Sequence, residues 1–214
     1  MPGQYPEVPI FRSEVRTLAS TITGQTYRLD VWLPPHYDDA SRIFPVIYLL
    51  DSNLLFGAAV NLALPLTWGP DLPEMLIVGI GYDMVSYDAW AERRIEEMFT
   101  HADHFLQFIE TELLPFVEAN YRADPADRLL TGHSLGGHLV WYALFNRPGL
   151  FRRYCASDPG LVDVIIAAEE RLALVIASSL TRPAFAKGNR LATPLMRSCT
   201  SPVMSAVVAG AAPL

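Results

Sequence analysis

The sequence predicts an α/β fold: a mostly parallel β-sheet with helices on both faces and an antiparallel hairpin on its N-terminal side. Three observations carry this expectation. Apolar runs of strand length alternate with stretches of helical period through most of the chain. The strand-length runs are continuously apolar, as a sheet covered on both faces requires. Hydrophobic residues make up 51% of the 214 and charged residues 18%, which supplies apolar surface to several layers. That length suits one domain with a substantial core and is short for two.

Taken in order, Glu14 to Thr21 and Thr26 to Leu33 are β-rich runs around Thr23-Gly24-Gln25, the pattern of a hairpin, and Pro34-Pro35 ends it. Phe44 to Leu50 is a continuous apolar run closed by Asp51-Ser52-Asn53, and predicts a central strand buried on both faces. Leu54 to Leu64 predicts a short helix and Met75 to Ile80 the next buried strand. Gly79-Ile80-Gly81 reads as a strand-end turn, because it lacks the third glycine and the ribose-binding acid of a dinucleotide fingerprint.

Asp88 to Met98 is charged and helical in pattern, and Arg93 and Arg94 among Glu92, Glu96 and Glu97 read as a solvated face. From Ala102 to Asn120, Phe105, Phe108, Ile109, Leu113, Phe116 and Val117 recur at helical spacing, with Pro115 expected to bend the helix near its end. Asp124-Pro125 predicts a turn before a strand from Arg128 to Thr131. A helix from His138 to Asn146 follows, stopped by Arg147-Pro148-Gly149, and Phe151 to Ala156 predicts another short strand.

Between the Arg128 strand and the His138 helix lies Gly132-His133-Ser134-Leu135-Gly136, a Gly-x-Ser-x-Gly turn. The flanking glycines suit a sharp strand-to-helix reversal that lifts the Ser134 hydroxyl above the sheet. The backbone N–H of Leu135 would then point where a tetrahedral oxyanion forms. This is chemistry for a nucleophilic serine.

Composition narrows the partners. A formal charge of −7 offers no counterion-release gain on nucleic acids or anionic membranes. The opening residues lack a basic segment followed by an apolar core, and no apolar run reaches spanning length, so a cytoplasmic protein without nucleic-acid or membrane partners is expected. Cys155 and Cys199 share no metal or redox spacing, and the five histidines never cluster with them as ligands; neither metal nor cofactor is expected.

Four segments together resemble the esterase branch of the α/β-hydrolases that includes esterase D-like and enterochelin-esterase-like enzymes. They are Tyr27-Arg28-Leu29-Asp30-Val31-Trp32-Leu33-Pro34, Phe44 to Asp51, Ile77-Val78-Gly79-Ile80-Gly81-Tyr82, and Gly132-His133-Ser134-Leu135-Gly136-Gly137. The resemblance implies an α/β-hydrolase-type sheet and Ser134 as the nucleophile of ester hydrolysis. It also implies Leu135 N–H as one oxyanion donor and the Ser52-Asn53 turn as the other. Small carboxylic esters or siderophore-type lactones are the substrates it implies.

Two departures stand out. Between Arg94 and His101 the family carries a longer excursion that walls the substrate pocket, so a more open pocket is expected here. In α/β-hydrolases the triad runs serine, acid, histidine along the chain, yet the histidines are His36, His101, His104, His133 and His138. Serine needs a base to take its proton. His101 and His104 open a helix at the sheet edge that also carries Ser134, which makes them the candidate substitute base.

Asp158 and Asp163 follow the Cys155 strand, where Asp158-Pro159-Gly160 is good turn chemistry. After Glu170 no carboxylate side chain remains in 44 residues, while Arg171, Arg182, Lys187, Arg190 and Arg197 are basic. An apolar helix is expected over 162–179, with a strand over 174–177 as the alternative, then an atypical, poorly packed or disordered tail over 182–214, leaving one domain over 1–181 and the C-terminal part of the fold incomplete. The alternative to a serine esterase is accordingly a catalytically impaired hydrolase fold that binds a ligand or partner, or a truncated remnant.

Overall fold

The computed structural model describes residues 9–69, 72–83, 86–159 and 195–196. Strands β1 (Ser13–Ala19) and β2 (Thr26–Trp32) form the expected antiparallel hairpin, with Ser13 opposite Trp32 and Ala19 opposite Thr26. Its turn is closed by Ser20, whose N–H donates to Gln25 O and whose hydroxyl accepts from Thr23 N–H.

The remaining strands are β3 (Phe44–Leu50), β4 (Leu76–Gly81), β5 (Ala123–His133), β6 (Arg153–Ser157) and β7 (Leu195–Met196). One seven-stranded sheet results, in the order β1-β2-β4-β3-β5-β6-β7. The β1/β2 and β2/β4 ladders are antiparallel and the other four are parallel. Every residue of β4 is buried, as its unbroken apolar sequence requires of a central strand.

Among the described residues five α-helices cover the sheet: α1 (Ser52–Leu66), α2 (Tyr87–Ile95), α3 (Ala102–Phe108), α4 (Leu114–Asn120) and α5 (Leu135–Asn146). Alternation along the strands sorts the core into two layers. On one face Tyr48, Leu50, Val78, Ile80 and Leu130 meet Phe105 of α3, Val117 of α4 and Leu139 of α5. On the other, Trp32, Leu49 and Ile77 meet Phe56, Val60 and Ala63 of α1.

Three expectations are corrected. The helix over 102–120 is not simply bent at Pro115. Pro115 has no N–H to return to the preceding turn, and the backbone ahead of it widens into a π-helical turn over Ile109–Leu113, with Leu114 N–H reaching back to Ile109 O. Asp124-Pro125 does make a local turn, in which Ala126 N–H donates to the Asp124 carboxylate. It lies inside β5, however: Phe44 pairs with Ala123 and Val46 with Arg128, so the residues between bulge out of the ladder.

Finally, Gly79 and Gly81 are strand residues and not a strand-end turn. A Cβ at Gly79 would stand 2.2 Å from Ser52 Oγ, so a bare backbone here lets the start of α1 settle on β4. The expected helix over 162–179 and the domain boundary at 181 lie outside the described residues. Within the expected tail only Leu195 and Met196 are described, and they pair in parallel with Arg153 and Tyr154 of β6.

Candidate active site

Because β3 and β5 are parallel neighbours, with Leu49 opposite Thr131, the turns that follow them emerge side by side at the C-terminal edge of the sheet. Ligands bind at this edge in open α/β folds. The turn after β5 carries Ser134 and the turn after β3 carries Ser52 and Asn53.

Ser134 is exposed and adopts φ 54°, ψ −118°, a backbone region that residues with a side chain rarely occupy. The surroundings hold it there. Its N–H donates to Ser157 O at 2.9 Å, and its carbonyl accepts the His138 N–H at 3.0 Å. Leu135, the first residue of α5, follows with its N–H at the positive end of a 12-residue helix.

The reversal is tight enough to dictate Gly132. A Cβ there would lie 2.6 Å from the backbone carbonyl of Gly136. Gly132→Ala is therefore expected to lower unfolding stability by about 3 kcal/mol, the upper part of the range for overpacking. Urea denaturation reads this directly, and an unchanged midpoint would contradict it.

Asp51 leads into α1 in a left-handed conformation, φ 57° and ψ 42°, and makes no side-chain cap. Its carbonyl instead accepts from Leu54 and Leu55 N–H, at 2.9 and 3.1 Å. Its carboxylate turns away toward α2, where Arg94 Nε and Nη2 grip it at 2.5 and 2.8 Å. Among the described residues, no acceptor is taken by the N–H groups of Ser52, Asn53 or Leu135.

The side chains of the same turn are committed elsewhere. Ser52 Oγ donates to the buried Asp30 carboxylate. Asn53 clamps the backbone of Tyr82, donating to its carbonyl at 2.7 Å and accepting its N–H at 2.9 Å. What this turn offers a ligand is therefore backbone N–H, not side chain.

Reading Arg93 and Arg94 as a solvated face is also corrected. Arg94 stacks over Trp90 at 4.8 Å while holding Asp51, and Arg93 pairs with Glu97, which in turn accepts from Tyr27 Oη at 3.0 Å. Burial pushes the Asp51 carboxyl above its ordinary range and Arg94 opposes that shift. Sequence reasoning missed Arg94 because its partner lies 43 positions away. The only signal was the four-residue step that places Arg94 on the face of Trp90 and Met98, both buried.

His101 and His104 stack at 6.0 Å between ring centroids and line a cavity of about 460 Å³ with Ile22, Gln25, Glu97 and Phe105. Ser134 is not among the residues lining it, and His101 Nε2 faces Glu96 at 3.3 Å. Their candidacy as substitute base thus rests on helix position, without a contact to Ser134. His133, exposed beside the serine, has Nδ1 3.2 Å from Ser157 Oγ.

His138 is buried on α5, and burial lowers its proton affinity. Below about pH 6.5, the ordinary imidazole value, the unfolded chain then binds the extra proton and the folded chain resists it. This share of the stability is complete above that pH and is lost as pH falls. His138→Gln should consequently lose less stability than the parent between pH 7.5 and pH 5 in urea titrations; equal losses would contradict it.

Among the described residues no group of three or more His, Cys, Asp and Glu side chains is placed to hold a metal ion. Cys155 is half-buried on β6. None of the described helices is long and apolar enough to cross a membrane.

A mostly parallel sheet with hairpin-first order, helices on both faces and a strained serine turn at the C-terminal edge places the chain in the α/β-hydrolase class. Within that class, residues 20–180 match the family described as "Putative esterase", and the chain belongs to it. It is 30% identical over 170 residues to the ferri-bacillibactin esterase BesA of Bacillus subtilis, covering 70% of this chain and 58% of that one. Against the siderophore triacetylfusarinine C esterase of Aspergillus fumigatus it is 33% identical over 173 residues, covering 72% and 58%. The chain thus spans somewhat more than half the length of these relatives.

Two solved structures superpose with a TM-score of 0.72. They are the BES protein of Bacillus cereus, at 23% identity over 82% of this chain and 74% of that one, and the siderophore hydrolase EstB of Aspergillus nidulans, at 25% over 91% and 71%.

Proposed function

We propose that this protein hydrolyses carboxylic esters with Ser134 as the nucleophile. The observation that carries the reading is the exposed, strained Ser134 at the start of α5, beside backbone N–H groups of two adjacent turns that have no described acceptor. In the reaction Ser134 Oγ adds to the ester carbonyl. The oxyanion that forms is received by Leu135 N–H and by an N–H of the Ser52-Asn53 turn. Collapse breaks the ester C–O bond: the alkoxide leaves as the alcohol with the proton that Ser134 Oγ gives up, carried through solvent at this exposed residue. Water then cleaves the acyl-serine, freeing the acid and returning a proton to Oγ.

These donors are fixed before substrate arrives, so they cost no reorganisation at the moment charge develops. Arg94 contributes at one remove: by drawing the Asp51 carboxylate toward α2 it keeps that side chain from capping the first-turn amides of α1. Siderophore-type lactones and other small carboxylic esters are the substrates this reading favours, supported by what the relatives above are named for. Hydrolysis of p-nitrophenyl acetate by the parent protein and by Ser134→Ala tests it. A difference between the two supports the reading, and turnover by both at the spontaneous rate rejects it.

A further inference from the structure

We propose that this protein pairs with a second copy of itself through β1, the two strands running antiparallel across a two-fold axis at Val15. The inference is independent of the reading of Ser134.

Among the described residues β1 has a neighbour, β2, on one side only, and Glu14, Val15, Arg16 and Thr17 are exposed in succession. Val15 is 57% exposed, and a cavity of about 820 Å³ opens beside it, shared with Phe56 and Gly57 of α1. Edge strands are commonly guarded by a bulge, a proline or a lysine. Here Ser13 to Ala19 pairs with β2 without a break in register and contains neither proline nor lysine. The charges it does carry, Glu14 and Arg16, are of opposite sign.

Hydrogen-bond phase fixes which peptide groups face out. Leu33 N–H donates to Arg12 O and Ser20 N–H to Gln25 O, the pairs just beyond either end of the β1/β2 register. Because bonded and non-bonded pairs alternate in an antiparallel ladder, Glu14, Arg16 and Leu18 turn their peptide groups to β2. Ser13, Val15, Thr17 and Ala19 turn theirs outward. Of these, Ser13 N–H is already taken, by Ile10 O at 3.2 Å.

Charge then selects the occupant and the register. A second β1 offers the same outward residues, so the axis must fall where outward residues meet outward residues. Placed at Val15, it sets Val15 against the partner's Val15, Ser13 against the partner's Thr17, and Glu14 against the partner's Arg16, the last twice over by symmetry. Axes at Glu14 or Arg16 set like charges face to face, and an axis at Thr17 gives up both charge pairs. Tyr121 already holds the two side chains on one face: its Oη donates to Glu14 at 2.5 Å, and Arg16 lies 5.9 Å over its ring. On a chain of formal charge −7, two copies repel except where a surface is locally neutral and matches itself, as this edge does.

Sedimentation equilibrium of the full chain tests this. The parent is expected to associate reversibly to a dimer as its concentration is raised to about 0.5 mM, the weak regime of a contact this narrow. Val15→Pro removes an N–H that the β2 ladder does not use, so the circular dichroism should be kept while association is lost. Glu14→Arg and Arg16→Glu should each weaken association about tenfold or more, and a mixture of the two should regain it, because in the mixed pair every charge again meets its opposite. Recovery on mixing cannot come from a fold defect in either variant. A parent that stays monomeric overturns the proposal, including one whose Val15 and Thr17 amides resist hydrogen exchange because another segment of this chain lies on β1. So does a dimer indifferent to Val15→Pro, or a mixture that associates no better than its components.

Discussion

Ser134→Ala is expected to lower p-nitrophenyl acetate hydrolysis by a factor on the order of 10³ or more, with the fold intact. The size follows from what the substitution removes. Without Oγ no acyl-serine forms, and only the preset amides remain to favour attack by water. Those amides are backbone groups at Leu135 and at the start of α1, so they survive the change and leave residual catalysis over background. Folding should tolerate it well, because Ser134 is exposed and its side chain makes no cap to α5. A burst of p-nitrophenol equal to the enzyme concentration, present in the parent and absent in the variant, would place the covalent step on this residue.

Arg94→Ala is expected to cost about 3 kcal/mol of stability, the lower edge of what breaking a buried ion pair costs, because the guanidinium is partly reached by solvent. Asp51 is 2% exposed and would be left with an uncompensated charge. Burial already raises its carboxyl, and without Arg94 the weaker pull of His133 is left to oppose that shift. The folded variant would then hold a proton that the unfolded chain releases above about pH 4. Its deficit relative to the parent should accordingly shrink as pH is lowered toward that value. Guanidinium melts of both proteins at pH 4.5 and pH 7.5 check the trend, and a deficit that grows on acidification would contradict it.

How much of this was legible in the sequence depended on how local each cause is. β3 and β4 were found within a residue because strands buried on both faces leave an unbroken apolar run. Ser134 and its flanking glycines were legible because the reversal forces small residues at fixed spacing. α1 begins at Ser52, before the expected Leu54, since the backbone carbonyl of Asp51 closes its first turn and a main-chain acceptor leaves no residue signature.

The pairings were opaque. Arg94 with Asp51 and Tyr27 with Glu97 join positions 43 and 70 apart, and a run of alternating charges looks the same whether solvated or folded inward. The roles of Gly79 and Gly81 were hidden for the same reason: only the arrival of Ser52 and Asn53 above them shows what the missing side chains make room for.

The most direct measurement is covalent capture of the serine. Intact protein incubated with diethyl p-nitrophenyl phosphate, digested and mapped by mass spectrometry, should carry one diethylphosphoryl group on the peptide containing Ser134, its formation slowed by competing ester. No adduct under conditions that label a known serine esterase, or an adduct on another residue with Ser134 unmodified, would contradict the assignment of Ser134 as nucleophile.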